Sequence, residues 1–125
     1  MAKEVLKRLD GEIEEVNLCS ENLRPLDWSQ LEERDRLIMQ KDFSAPIFKY
    51  ANQFINADEI LIAAPCWDLA FPSILRVYFE HITVTGLTFK YSPEGITTGL
   101  CNANRIIYVT TSGAPSQTNL LDIIT

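Results

Sequence analysis

Hydrophobic positions run uninterrupted at two places in the chain: Ile60-Leu61-Ile62-Ala63-Ala64, after Glu59, and Ile106-Ile107-Tyr108-Val109, after Arg105. Continuous apolar runs of this length, set between helical patterns, predict parallel strands covered on both faces. The first run ends in Pro65, the second in Thr110 and the sequence Thr111-Ser112-Gly113-Ala114-Pro115. Pro72 opens a predicted helix, where its missing N–H costs nothing, and Ile74, Leu75, Tyr78, Phe79 and Ile82 form its apolar stripe until Gly86. Residues 28–41 are charged and helical, with Leu31, Leu37 and Ile38 as the inner face. A second helix is predicted from Pro46 to Asn56, with Ile47, Tyr50, Ala51, Phe54 and Ile55 at helical spacing. Near the start, residues 2–9 read as the last turns of an amphipathic helix closed by Gly11, and Glu12 to Leu18 alternates like a half-exposed strand. Ser20 to Asp27 is a polar connection broken by Pro25, and Leu87 to Leu100, with Gly95 and Gly99, reads as irregular. Strands alternating with helices predict an α/β layer fold with a mainly parallel sheet.

Length and composition narrow this picture. A chain of 125 residues with 46% hydrophobic positions suits one domain with a core, not a disordered segment. The net charge of −6, with Lys and Arg scattered, argues against nucleic acid or an anionic membrane as partner. The longest apolar run, Ile60 to Pro65, is far too short to span a bilayer. The opening Met1-Ala2-Lys3-Glu4-Val5 lacks a charged-then-apolar signal layout, so the expected compartment is the cytoplasm. Cys19, Cys66 and Cys101 are widely spaced, without a Cys-x-x-Cys pair, and His81 is the single histidine. No disulfide framework or metal site is expected from them; they read as buried free thiols. Glu32, Glu33 and Asp35 read as a solvated helix face.

Candidate chemistry sits at the strand ends, because open parallel sheets bind ligands beyond the carboxyl ends of their strands. Pro65-Cys66-Trp67-Asp68-Leu69 follows one buried strand and Thr111-Ser112-Gly113-Ala114 the other. An indole at such a point suits a flat heterocycle, and the neighbouring backbone amides could donate to ring carbonyls. Thr111 and Ser112 add hydroxyls, and Gly113 permits a close backbone approach. The competing reading makes Trp67 a core residue and Thr111 to Gly113 a plain turn.

The ordered series of segments resembles the flavodoxin-like FMN-dependent NADH:quinone oxidoreductases and NADH-azoreductases. Ala57-Asp58, the apolar strand Ile60 to Ala64, Pro65-Cys66-Trp67-Asp68 and Pro72-Ser73-Ile74-Leu75-Arg76 follow one another as in that family. So do Leu23-Arg24-Pro25-Leu26-Asp27 upstream, and Gly86-Leu87-Thr88-Phe89-Lys90-Tyr91, the Glu94-Gly95 to Gly99 loop and Val109 to Ala114 downstream.

This resemblance implies a flavodoxin-like three-layer α/β fold with a mainly parallel sheet. It covers residues 1–125 as a single partial domain, with the first strand and the last strand-helix unit missing. It implies FMN as cofactor, with Cys66, Trp67, Asp68 and Leu69 lining the isoalloxazine and Thr111, Ser112, Gly113 and Ala114 on its pyrimidine side. Tyr91 falls where the family places an aromatic residue near the substrate pocket, often across a homodimer. The implied reaction passes a hydride from NADH or NADPH through the flavin to a quinone or azo compound, without a side-chain nucleophile. Cys66 is then a pocket wall.

The family begins with an apolar strand and a Ser-rich loop that cradles the FMN phosphate at a helix N-terminus. Without that loop the expectation is weak or absent flavin binding, and impaired activity, for this chain alone. Asp68 stands where the family usually carries Asn; an ionised carboxylate only accepts hydrogen bonds, so Asp68 either turns outward or lowers the flavin potential. Two further readings are a non-catalytic truncated remnant that pairs with another subunit and a flavodoxin-type electron carrier. The Pro72 to Arg76 helix start and the Gly86 to Gly99 excursion favour the reductase over the carrier.

Overall fold

A computed structural model of the protein describes residues 11–66 and 70–111. Four strands, three α-helices and two 3₁₀ turns make up this part. Helix α1 (Trp28–Met39) starts where Asp27 accepts a hydrogen bond from the Gln30 N–H at 2.8 Å and Gln30 Oε1 accepts one from the Asp27 N–H at 3.0 Å. This reciprocal cap satisfies two amides that would otherwise lack partners at the helix start. Leu37 is buried on the inner face and Leu31 and Ile38 are half-buried, as the sequence pattern predicts.

The second predicted helix is divided. Pro46–Phe48 forms a 3₁₀ turn, and α2 spans Lys49–Asn56. The tighter turn alters the angular spacing of side chains. Phe48, outside the predicted apolar face, is wholly enclosed at 0% exposure, its ring 5.3 Å from that of Phe43 in an edge-on contact. Phe48, Ala51, Leu37 and Val84 form the core cluster, with Ile38, Phe43, Ile47 and Leu87 packed around it.

Strand β1 (Glu59–Pro65) pairs parallel to β4 (Arg105–Thr111), in a register running from Glu59 opposite Arg105 to Pro65 opposite Thr111. The parallel pairing expected of the two apolar runs is thus present. An ion pair of 2.9 Å between Arg105 and Glu59 marks its amino end. The expected covering of both faces differs: within the described residues no side chain of either strand is buried, and Ile106 is 42% exposed. The tightest packing lies among the helices.

The crossover between the two strands contains α3 (Ser73–Ile82) and a hairpin of β2 (Phe89–Tyr91) with β3 (Thr97–Gly99). Helix α3 stops four residues before Gly86. Val84 is buried there, and Thr88 Oγ1 donates to the Ile82 carbonyl at 2.7 Å while accepting from the Val84 N–H at 3.0 Å. Gly86 has a φ of +86°, where side chains are strained, and its N–H donates to the Phe89 carbonyl at 2.7 Å. The stretch read as irregular is therefore a turn and a short antiparallel hairpin.

Two expectations are corrected. Glu12 to Asn17 is not a strand: it has no ladder partner among the described residues, Ile13 is 51% exposed, and the chain enters a 3₁₀ turn at Leu18–Ser20. Alternation describes which side chains would face a core, but a strand exists only when its backbone groups pair. The cysteines are free, yet Cys19 is exposed and Cys66 and Cys101 are only half-buried. The helix predicted over residues 2–9 lies outside the described residues. No described helix is long and apolar enough to cross a membrane.

Candidate functional site

The carboxyl ends of β1 and β4 adjoin. Pro65 lies opposite Thr111, and the Cys66 N–H donates to the Thr111 carbonyl at 2.8 Å. Because the amides of a strand alternate in direction, Cys66 points its N–H at β4 and the N–H that Pro65 lacks would have pointed away from it. The proline therefore costs this pairing nothing. The same bond engages the Cys66 amide, so within the Pro65 to Leu69 segment any donation to a ring carbonyl falls to the amides after Cys66, which lie outside the described residues.

Of the residues singled out at the strand ends, the structure thus brings together Cys66 and Thr111. Cys66 is half-buried and Thr111 exposed. Trp67, Asp68, Leu69, Ser112, Gly113 and Ala114 lie outside the described residues. Tyr91 is on a separate element, the last residue of β2, 59% exposed with its ring edge-on to Phe89 at 5.4 Å.

Two residues at this end escaped the sequence reading. Thr110, opposite Ala64, has an Oγ1 shut off from solvent with no hydrogen-bond partner among the described residues. An unpaired buried hydroxyl costs on the order of 1–3 kcal/mol, so it marks a position where an added partner is favoured. The available signal was a hydroxyl closing an otherwise apolar strand. Phe71 packs edge-on against Tyr108 of β4 at 5.3 Å and against Phe79 of α3 at 5.8 Å. It ties the chain entering α3 to the sheet, and its signal was an aromatic residue directly before Pro72.

Away from the strand ends, an aromatic cluster joins α2 to α3. Tyr50 lies 6.0 Å from Tyr78 and 6.1 Å from His81, and its hydroxyl donates to Glu21 at 2.7 Å. His81 Nε2 is 2.8 Å from the Arg24 carbonyl. Burial pushes the Tyr78 phenol up to about 12; burial first, and then the Glu21 carboxylate, push Tyr50 up to about 12. Burial also raises the Cys101 thiol above its ordinary value. These groups hold the helical layer together.

Comparison with known proteins gives this arrangement a context. The model of a family described as having a flavodoxin-like fold matches residues 1–121. An FMN-dependent NADH:quinone oxidoreductase of Coprothermobacter proteolyticus is 41% identical over 108 residues, covering 83% of this chain and 52% of that protein. One from Clostridium perfringens is 37% identical over 107 residues with the same coverage. The chain thus spans about half the length of the curated relatives it matches. Among solved structures, an azoreductase from Bacillus anthracis superposes with a TM-score of 0.69 at 25% identity, over 88% of this chain and 56% of its own. An FMN-dependent NADH-azoreductase of that organism, solved with FMN, shares the fold with a TM-score of 0.75 at 22% identity, over 94% of this chain and 60% of its own. Matched over residues 1–121 by the family model, and with its parallel β1–β4 pair and intervening helix, the chain belongs to the family with the flavodoxin-like fold.

Proposed function

We propose that the chain is an FMN-dependent oxidoreductase polypeptide that passes a hydride from NADH or NADPH to a quinone or azo compound. The carrying observation is the Cys66 N–H to Thr111 carbonyl bond of 2.8 Å, which makes the loops leaving β1 and β4 neighbours at the carboxyl edge of a parallel sheet. The names of the relatives and of the azoreductase structures support the same reading.

The described strand-end residues suit a flat ring. Cys66, Thr110 and Thr111 bring no charge, and the Thr110 hydroxyl is enclosed and unpaired among the described residues. These are features for a hydrogen-bonding heterocycle. In this reading Cys66, Trp67, Asp68 and Leu69 hold one side of the isoalloxazine, and Thr111, Ser112, Gly113 and Ala114 the other. FMN, when bound, supplies the hydride-accepting and hydride-donating chemistry. The protein positions the ring, excludes water and sets the local charge; no side chain is required as a nucleophile. Exposed Tyr91 borders the substrate pocket, contributed from the other subunit of a homodimer. The acidic composition and scattered basic residues support a cytoplasmic protein without nucleic-acid or membrane partners. Residues 1–125 act as one partial flavodoxin-like domain.

The test is consumption of NADH by the purified chain with FMN in excess and a quinone as acceptor, against a flavin-only control. A rate above the control that grows with protein concentration is the expected result. Flavin binding without NADH oxidation would shift the reading to an electron carrier, and neither binding nor oxidation to a non-catalytic remnant.

A further inference from the structure

A second candidate site lies between α1 and α3 and shares no residue with the strand ends. It is a cleft of about 520 Å³ whose lining includes Leu26, Leu31, Arg34, Arg76, Phe79 and Glu80. That volume falls within the range of roughly 300–1,000 Å³ typical of small-molecule sites. Its wall is divided by chemistry: Leu26, Leu31 and Phe79 are apolar, and Arg34 and Arg76 carry two positive charges against the single carboxylate of Glu80.

The hydrogen bonds show which charges are already engaged. Glu80 Oε2 accepts from the Leu26 N–H at 3.4 Å, and the Glu80 main-chain carbonyl accepts from Arg34 Nη1 at 3.0 Å. Arg34 is thereby pinned across the cleft, and its Nε–H is enclosed with no partner among the described residues. Arg76 precedes Glu80 by one helical turn, a spacing at which opposite charges commonly pair. Among the described residues, however, the ion pairs are Arg36–Glu33, Lys49–Glu21 and Arg105–Glu59, and neither Arg34 nor Arg76 belongs to one. An exposed guanidinium with no carboxylate partner among the described residues, on a lining shared with an apolar wall and a second guanidinium, matches a planar anion carried on an apolar body.

We propose that this cleft binds a small amphipathic carboxylate. Its charge meets Arg76 with Arg34 behind it, and its hydrocarbon part lies against Leu26, Leu31 and Phe79. The inference does not depend on the redox reading, because neither flavin nor the strand-end loops take part.

The experiment is calorimetric titration of the full 125-residue chain with naphthoate and with its neutral isostere naphthamide. Naphthoate should bind saturably, and naphthamide at least about tenfold more weakly. Arg76→Gln should weaken naphthoate by about tenfold and leave naphthamide unchanged; Arg76 is exposed, so the far-ultraviolet spectrum and melting curve should match the parent. Glu80→Gln keeps an acceptor for the Leu26 N–H and removes the competing negative charge, so it should tighten naphthoate several-fold. Absence of saturable naphthoate binding, equal affinity for the acid and the amide, or an unchanged affinity in Arg76→Gln would each overturn the proposal. Should Arg76→Gln perturb the fold, the direction of the Glu80→Gln change decides: weaker or equal binding refutes it.

Discussion

Replacing Thr110 by Val should stabilise the chain and weaken its hold on flavin at the same time. Thr110 Oγ1 is closed to solvent and has no hydrogen-bond partner among the described residues, so folding strips water from a hydroxyl and returns nothing. The penalty for such a group is about 1–3 kcal/mol. Valine has nearly the same shape, replaces the hydroxyl with a methyl group, and suits a strand opposite Ala64. With a urea m-value of about 1–3 kcal/mol/M, the unfolding midpoint should rise by roughly 0.5–1.5 M. Circular dichroism during urea titration measures this. In the same variant, flavin affinity should fall about five- to tenfold, the equivalent of one neutral hydrogen bond of about 1–1.4 kcal/mol, read by quenching of flavin fluorescence. A lowered midpoint would refute the reasoning, since it would mean that the hydroxyl is paired in the folded chain. A raised midpoint with unchanged flavin affinity would detach Thr110 from the ring site.

Phe48→Ala should cost about 3–5 kcal/mol, because the ring is wholly enclosed and touches Phe43 edge-on, and thermal denaturation should show a strongly lowered melting temperature. Alkaline pH should destabilise the helical layer: the folded chain keeps the Tyr78 and Tyr50 protons up to about 12, whereas the unfolded chain releases them near 10. Stability is therefore intact below about pH 10 and declines as pH rises towards 12. Partial exposure reduces the Tyr78 share to about 1–2 kcal/mol, and urea midpoints measured across this range should decline less steeply in Tyr78→Phe. In a flavin-loaded form, Asp68→Asn should raise the reduction potential, since two unit charges about 5 Å apart interact by roughly 3 kcal/mol at an effective dielectric of about 20, and solvent reduces this. An unchanged potential in a redox titration would mean that the carboxylate is turned away from the ring.

By itself the sequence determined the elements whose signal is local and strong. The two apolar runs became β1 and β4, the stripe behind Pro72 became α3, and the capped, charged segment after Asp27 became α1, because periodicity and end signals act over a few residues. The strand-end position of Cys66 and Thr111 was equally legible, as each directly follows such a run. What tertiary structure decided was which groups found partners. Glu12 to Asn17 alternates but forms no strand, because no described backbone pairs with it. Phe48 is wholly enclosed because Leu37, Val84 and Phe43, distant along the chain or on other elements, pack around it, and the glycine-containing stretch after Leu87 became a hairpin because its two arms pair. The unpaired Thr110 hydroxyl and the cleft joining Leu26 and Arg34 to Arg76 and Phe79 also belong to the tertiary level. Hydrogen bonding and burial depend on which distant segments lie side by side, and that juxtaposition is set by strand register and helix packing rather than by any local run of residues.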